Sequence, residues 1–232
     1  GRVGVIVNTT ERIRRLIKEA DELLKQLGAA ACVLLALSLT ACGGDRDGQD
    51  LTLRGVDQTK PGVLIFGDSI SMGYTPFVAQ ARPDLNVLHT EANNMGSGNG
   101  LRVVEAVLSQ RARWSVVVFN HGHWDQPGNE QATSLAEYAS NLTAEVEIMR
   151  RYADRVVFVT STEVSAPFVS FTNQNVSERN AAAVQVMNEL GIQVIDLYAV
   201  SAGMPGLHND GIHWTDAGSA VLSQAIVNHL GL

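Results

Sequence analysis

Short apolar segments alternate with longer stretches of helical periodicity across residues 61–232, and this alternation constrains the fold more than any other feature. Strands are predicted at 63–66, 86–90, 115–119, 155–160 and 192–195. Helices are predicted from the first strand to about residue 81 and at 101–110, 134–152, 176–190 and 215–230. Strands that alternate with helices predict a parallel sheet covered on both faces, a single three-layer α/β/α domain of about five strands.

Composition favours a folded domain and argues against a nucleic-acid partner. Hydrophobic residues make up 45% of the chain and charged residues 18%, which is enough apolar side chain to build a core. The net charge is −7, whereas phosphate contacts need a basic face. Two cysteines do not make a disulfide scaffold.

The first sixty residues differ from the rest of the chain. Residues 12–27 have the spacing of an amphipathic helix, and 28–41 form an apolar run too short to span a bilayer comfortably. The run ends in Leu39-Thr40-Ala41-Cys42, followed by two glycines. Either this is a buried helix followed by a loop, or it is a secretory signal.

The segment around Cys42 resembles a bacterial lipoprotein signal. The resemblance implies that 1–41 is a leader, that Cys42 carries the lipid, and that 42–60 is a linker before the domain at 61–232. We would then expect a lipoprotein of the bacterial cell envelope that contacts the membrane only through its lipid anchor.

Two short segments contain the residues of a nucleophilic site. Ser69 follows the first strand on a Gly-Asp turn, at the carboxyl edge of the predicted sheet, where a helix N-terminus offers N–H groups to an anion. Asp210 precedes His213 by three residues, just ahead of the last helix, so its carboxylate is in reach to orient the imidazole. Each segment also has a structural interpretation, Ser69 as a helix cap and His213 as a surface histidine. Together they indicate nucleophile, base and orienting group.

These segments, FGDSIS and DGIHWTDAG, resemble the nucleophile and closing blocks of the SGNH (GDSL-type) hydrolase family, and the similarity runs from about residue 62 to 230. The resemblance implies a flavodoxin-like fold and an ester hydrolase with Ser69 as nucleophile, His213 as general base and Asp210 as its partner. It implies no metal and no organic cofactor. The segment VVVFNHGHWD is similar to a bacterial subgroup whose third block reads roughly Phe-Asn-x-Gly-x-His-Asp.

The glycine-rich segment 96–100 provides a candidate for the oxyanion hole. The family resemblance assigns one donor to the backbone N–H of a glycine here, and Gly98 is the best match; the N–H of Ser69 is another. A glycine lets the backbone approach a substrate oxygen closely. The glycine spacing, and the lack of an acidic residue at the end of the next strand, disfavour a dinucleotide-binding interpretation.

The segment 120–125 departs from the main family pattern Gly-x-Asn-Asp. If Gly122 is aligned with the family glycine, Trp124 stands where the asparagine is expected; if the segments are aligned by the end of the strand, Asn120 stands at the glycine. Asn120 and His123 are therefore both candidates for the third oxyanion donor, and Asn120 is alternatively a structural turn residue. His121, His123 and Asp125 also allow a metal site, although no further ligand cluster stands out.

The sequence Phe-Asn-x-Gly-His-Trp is similar to a segment of the plant trichome-birefringence-like polysaccharide O-acetyltransferases. That similarity indicates a carbohydrate-linked acetyl ester as substrate. We therefore expect a serine esterase acting on a small-molecule or glycan ester, with no nucleic-acid partner. The alternatives are a polysaccharide O-acetyltransferase and a non-catalytic, glycan-binding envelope lipoprotein.

Overall fold

Five parallel strands form one sheet in the computed structural model, which describes residues 51–165 and 171–232. The strands are β1 (Gly62–Phe66), β2 (Asn86–Leu88), β3 (Trp114–Phe119), β4 (Ala153–Val159) and β5 (Gln193–Ile195). Their order across the sheet is β2-β1-β3-β4-β5. The positions of all five predicted strands are confirmed to within a few residues.

Within the described residues, six helices connect or follow the strands. They are α1 (Ser69–Ala81), α2 (Ser97–Leu108), α3 (Leu135–Tyr152), α4 (Asn173–Leu190), α5 (Leu197–Ser201) and α6 (Asp216–His229). A 3₁₀ turn covers Pro205–Leu207. The sequence did not predict α5 or this turn, because segments so short show no helical periodicity.

The start of α2 differs from the prediction, which placed its first residue at 101. The helix begins at Ser97, so Gly98 and Gly100 are helical rather than part of a turn. The Asp125 carboxylate accepts hydrogen bonds from the N–H and the hydroxyl of Ser97 and so stabilises this early start. Residue 125 is distant in sequence, so local propensity does not reveal the cap.

Two hydrophobic clusters lie on opposite faces of the sheet and make the three layers. Leu64 and Phe66 of β1 belong to the cluster with α2, α3 and α4, while Val63 and Ile65 belong to the cluster with α1 and α6. This alternation follows from the period of two in a strand. The three-layer α/β prediction is thereby confirmed. Leu53, within the segment predicted as linker, is also buried in the first cluster.

Strand register brings the chemistry-bearing segments to one edge. Phe66 pairs with Phe119, and Phe119 pairs with Phe158, so the residues after β1, β3 and β4 leave the sheet side by side. In the part of the chain that the structure describes, no helix is long and apolar enough to cross a membrane. The proposed leader 1–41 and Cys42 lie outside the described residues.

Candidate active site

A tight turn after β1 places Ser69 at the start of α1. Asp68 caps the helix by accepting a hydrogen bond of 2.9 Å from the N–H of Ile70. A Cβ on Gly67 would lie 2.8 Å from the carbonyl oxygen of Asn120, so the turn has room only for glycine. Ser69 therefore sits at the carboxyl edge of the sheet, on the first turn of a helix.

Asp210 and His213 form a second compact turn ahead of α6. Oδ1 of Asp210 accepts hydrogen bonds from the N–H groups of Ile212 (3.0 Å) and His213 (2.8 Å). Oδ2 lies 2.7 Å from Nδ1 of His213, and Nε2 of that imidazole lies 2.9 Å from Oγ of Ser69. The carboxylate holds the proton on Nδ1, which leaves Nε2 free to accept the hydroxyl proton.

The surroundings of the Asp210 carboxyl group lower its pKa and keep it ionised. Its partial burial opposes ionisation, but the hydrogen bonds from the imidazole and backbone of His213 and from Ile212 outweigh this effect. Together they lower the pKa of Asp210 to about 2. The orienting group is therefore anionic at any pH near neutrality.

An apolar cavity of about 200 Å³ adjoins the Ser69 hydroxyl and the His213 imidazole. The residues that line it are Asp68, Ser69, Ile70, His123, Trp124, Phe171, Ile212 and His213. Sequence reasoning did not anticipate the walls formed by Phe171 and Ile212, which belong to separate loops. The cavity provides a small, apolar space next to the hydroxyl.

Two of the predicted oxyanion donors are backbone N–H groups. Ser69 lies in the first turn of α1, whose N–H groups have no acceptor within the helix. Gly98 lies in the first turn of α2, and a Cβ added there would face Asn141 of α3 at 3.8 Å. Gly98 does not line the cavity beside Ser69.

The amide of Asn120 is directed away from that cavity. Its Nδ2 donates to the carbonyl oxygen of Val159 at 2.9 Å and lies 3.4 Å from the hydroxyl of Ser161. The gap that Asn120 lines has no room for a water molecule. This geometry matches the structural interpretation of Asn120, which joins the ends of β3 and β4.

His123 does line the cavity, and its neighbours fix its tautomer. The Oε1 of Gln126 accepts from the N–H of Thr172, so the Nε2 of Gln126 faces Nδ1 of His123 at 3.4 Å. The imidazole proton is then on Nε2, 3.4 Å from Oγ1 of Thr162. Burial lowers the pKa of His123, although the charge of Asp68 opposes the effect. His123 thus presents a neutral N–H donor.

The histidines of the His-x-His segment do not converge on one point. His121 is fully buried and contacts Glu145 of α3, a pair that sequence reasoning missed. The carboxylate of Asp125 binds Ser97 and Thr133 instead. Among residues 51–165 and 171–232, no group of three or more His, Cys, Asp or Glu side chains is placed to hold a metal. The geometry gives the metal-site alternative no support.

Solved structures of esterases share this fold. A lipase/acylhydrolase from Enterococcus faecalis has a TM-score of 0.63 at 20% identity, over 73% of this chain and 95% of its own. The carbohydrate acetylesterase Est24 from Sinorhizobium meliloti has a TM-score of 0.62 at 15% identity, over 73% of this chain and 97% of its own. Axe2, an acetylxylan esterase from Geobacillus stearothermophilus, has a TM-score of 0.61 at 18% identity, over 74% of this chain and 94% of its own.

No family model matches the chain, and no curated protein is similar enough to match it. At such low identities the structural likeness concerns the fold. The described domain has the five-stranded α/β fold of these acylhydrolases and acetylesterases.

Proposed function

We propose that this chain is a serine esterase that hydrolyses short-chain esters, above all acetyl esters of carbohydrates. The observation that carries the proposal is the unbroken hydrogen-bonded line from the hydroxyl of Ser69 through the imidazole of His213 to the carboxylate of Asp210. A hydroxyl becomes a good nucleophile when an oriented base takes its proton. The shared fold with acylhydrolases supports the same reaction class.

In the proposed mechanism, Oγ of Ser69 attacks the ester carbonyl carbon while Nε2 of His213 takes the hydroxyl proton. Asp210 stabilises the imidazolium that forms. The N–H of Ser69 and the Nε2–H of His123 are the proposed donors to the oxyanion, with Gly98 as the donor that the family resemblance implies. The imidazolium then protonates the departing alcohol. A water molecule, deprotonated by His213, releases the acid.

The cavity volume favours a short acyl group. Pockets for drug-sized ligands measure roughly 300–1,000 Å³, so a space of about 200 Å³ is small. Its apolar walls, Ile70, Trp124, Phe171 and Ile212, suit a methyl or short alkyl chain. The fold relatives described as acetylesterases of carbohydrates support an acetylated sugar as the alcohol part.

Replacement of the nucleophile tests the proposal. Ser69→Ala should abolish hydrolysis of p-nitrophenyl acetate while the circular dichroism spectrum is retained. Ser109→Ala, at an exposed serine after α2, is the matched control and should retain activity. A fluorophosphonate probe should label the wild-type chain on the peptide that contains Ser69. Activity that persists in Ser69→Ala contradicts the assignment.

Assays of the same purified protein distinguish the esterase from the two alternative functions. If an acetyl donor and an oligosaccharide acceptor yield acetylated sugar in preference to free acetate, the protein is an O-acetyltransferase with the same acyl-enzyme. If the probe does not label Ser69 and no ester is turned over, the glycan-binding alternative gains support.

We also propose that the protein is lipid-anchored through Cys42 in a bacterial envelope. The apolar run 28–41 and the small residues before Cys42 support this proposal. Mass spectrometry of the membrane fraction from the native host should find lipid on Cys42, and Cys42→Ser should release the protein from that fraction. An unmodified Cys42 in the membrane fraction contradicts the anchor.

A further inference from the structure

A buried pair of titratable side chains, His121 and Glu145, lies beside the candidate active site and takes no part in the mechanism above. Nε2 of His121 lies 3.1 Å from Oε1 of Glu145, and neither side chain is exposed. The other carboxylate oxygen of Glu145 is buried without a hydrogen-bond partner in the described residues. A buried pair of this kind adds little net stability over an apolar pair, but removal of one partner leaves the other buried and unpaired.

The other ring nitrogen of His121, Nδ1, is hydrogen-bonded to a residue with a strained backbone. This nitrogen donates a hydrogen bond of 2.9 Å to the carbonyl oxygen of Met95. Met95 has φ +56°, and in the described part of the chain it is the only residue other than glycine with a positive φ. The Cβ of any residue other than glycine disfavours this conformation, which persists only where surrounding contacts impose it.

The strained residue belongs to a loop, residues 93–96, that contacts the nucleophile turn. The N–H of Asn94 donates to the carbonyl oxygen of Gly67 at 3.1 Å, and Gly67 directly precedes Asp68 and Ser69. The N–H of Met95 donates a hydrogen bond of 2.8 Å to the side-chain Oδ1 of Asn93, which closes the loop. A shift of Met95 would therefore move the atoms that fix the backbone before Ser69.

We propose that His121 and Glu145 are positioning residues that hold Met95 in its left-handed conformation and thereby align the 93–96 loop with the turn that carries Ser69. The proposal rests on the proposed esterase function for its kinetic test. The pair has no spare volume, because a Cβ on Gly100 of α2 would clash with both His121 and Glu145. That helix therefore packs directly on the pair.

The charge state of the pair supports this role. A carbonyl oxygen only accepts, so Nδ1 of His121 carries a proton toward Met95, and Nε2 faces a carboxylate. Burial by itself lowers the pKa of His121, but Glu145 and the nearby charge of Asp125 raise it to about 9. The ring of Phe66 on β1 packs against the imidazole in a T-shaped arrangement, with ring centroids 5.8 Å apart. A doubly protonated imidazole donates to both partners at neutral pH.

Glu145→Gln is the first test, because it keeps the shape of the side chain and removes its charge. The amide of the variant donates to Nε2 of His121, so the imidazole becomes neutral, and its remaining hydrogen bond from Nδ1 to Met95 is weaker without the positive charge. We expect kcat for p-nitrophenyl acetate to fall by about tenfold or more, since a small misplacement of reacting groups has a large effect on rate, with KM changed by less than about twofold. Val146→Ala is the matched control: Val146 is the next residue of α3, is fully buried, and does not contact His121 by hydrogen bond. It should lower the melting temperature with kcat retained.

A rescue variant distinguishes positioning from simple destabilisation. Glycine adopts φ +56° without steric penalty, so Met95→Gly should hold the loop without help from the pair. We expect Met95→Gly to restore most of the kcat lost in Glu145→Gln and to leave the melting temperature of Val146→Ala uncorrected. A Glu145→Gln variant with wild-type kcat, or a loss that Met95→Gly does not restore, overturns the proposal.

Hydrogen exchange gives a readout that does not depend on catalysis. The backbone amides of the 93–96 loop should exchange faster in Glu145→Gln than in Val146→Ala. If the wild-type protein neither hydrolyses esters nor reacts with the fluorophosphonate, the proposed function fails, and this measurement still decides the positioning role. Equal exchange in both variants contradicts it.

Discussion

Oγ of Ser69 lies 2.9 Å from Nε2 of His213, although 144 residues separate them in the sequence. The two meet because α1 and α6 pack on the same face of the sheet, where Ile70 and Leu222 share one hydrophobic cluster. The first helix begins with Ser69, and the last is preceded by the turn that contains His213. Burial of apolar side chains thus brings nucleophile and base together.

Asp210→Asn should lower kcat by roughly a thousandfold with little change in the fold. The two backbone N–H groups on Oδ1 of Asp210 require an oxygen there, so the amide nitrogen of the variant must face Nδ1 of His213. That nitrogen would donate, place the imidazole proton on Nε2, and prevent it from accepting the serine proton. Steady-state kinetics with p-nitrophenyl acetate measure the effect; a loss below about tenfold would argue against Asp210 as the orienting group.

Trp124→Ala should shift the preference toward longer acyl chains. Trp124 is a wall of the cavity, and its removal leaves space for additional methylene groups, each worth roughly 0.8 kcal/mol when buried. The ratio of kcat/KM for p-nitrophenyl butyrate to that for the acetate should therefore rise. Leu135→Ala, at an exposed leucine, should leave the ratio unchanged. An unchanged ratio in Trp124→Ala would place the acyl group elsewhere.

Two glycines of α2 should respond oppositely to alanine. At Gly100 the new Cβ would clash with His121 and Glu145, so Gly100→Ala should destabilise the fold by roughly 1–3 kcal/mol. At Gly98 the nearest heavy atom would lie 3.8 Å away, so Gly98→Ala should stabilise it by roughly 0.5 kcal/mol. Urea denaturation monitored by circular dichroism measures both. Equal effects would contradict the packing of His121 against α2.

The free energy of unfolding should fall as the pH rises from about 6.5 to about 9. In this range the unfolded chain releases the His121 proton first, whereas the folded chain, with a pKa of about 9 at His121, retains it. The stabilisation is complete below pH 6.5 and is lost as the pH passes 9. Glu145→Gln should remove most of this slope. Denaturation curves at several pH values provide the measurement, and an equal slope in the variant contradicts a charged pair.

The strands and most of the helices were predictable because their signals are local. The apolar runs of β1 and β3 predict buried strands, and the last helix is capped by Thr215 at its own N-terminus while α4 ends at Gly191, both signals that neighbouring residues supply. The predicted start of α2 was wrong because the carboxylate that stabilises its first turn, Asp125, comes from the loop after another strand. Intrinsic propensity counts Gly98 and Gly100 against a helix, and a tertiary contact overrides it.

By itself, the sequence determined the order of strands and helices, and it singled out Ser69, Asp210 and His213, because apolar periodicity and turn chemistry are encoded by neighbouring residues. Only the tertiary structure decided which side chains of the segment 120–125 reach the cavity. That segment leaves β3 as irregular backbone, so its side-chain directions are set by packing partners on distant elements. Asn120 is held by β4 and His121 by α3, which leaves His123 to line the cavity.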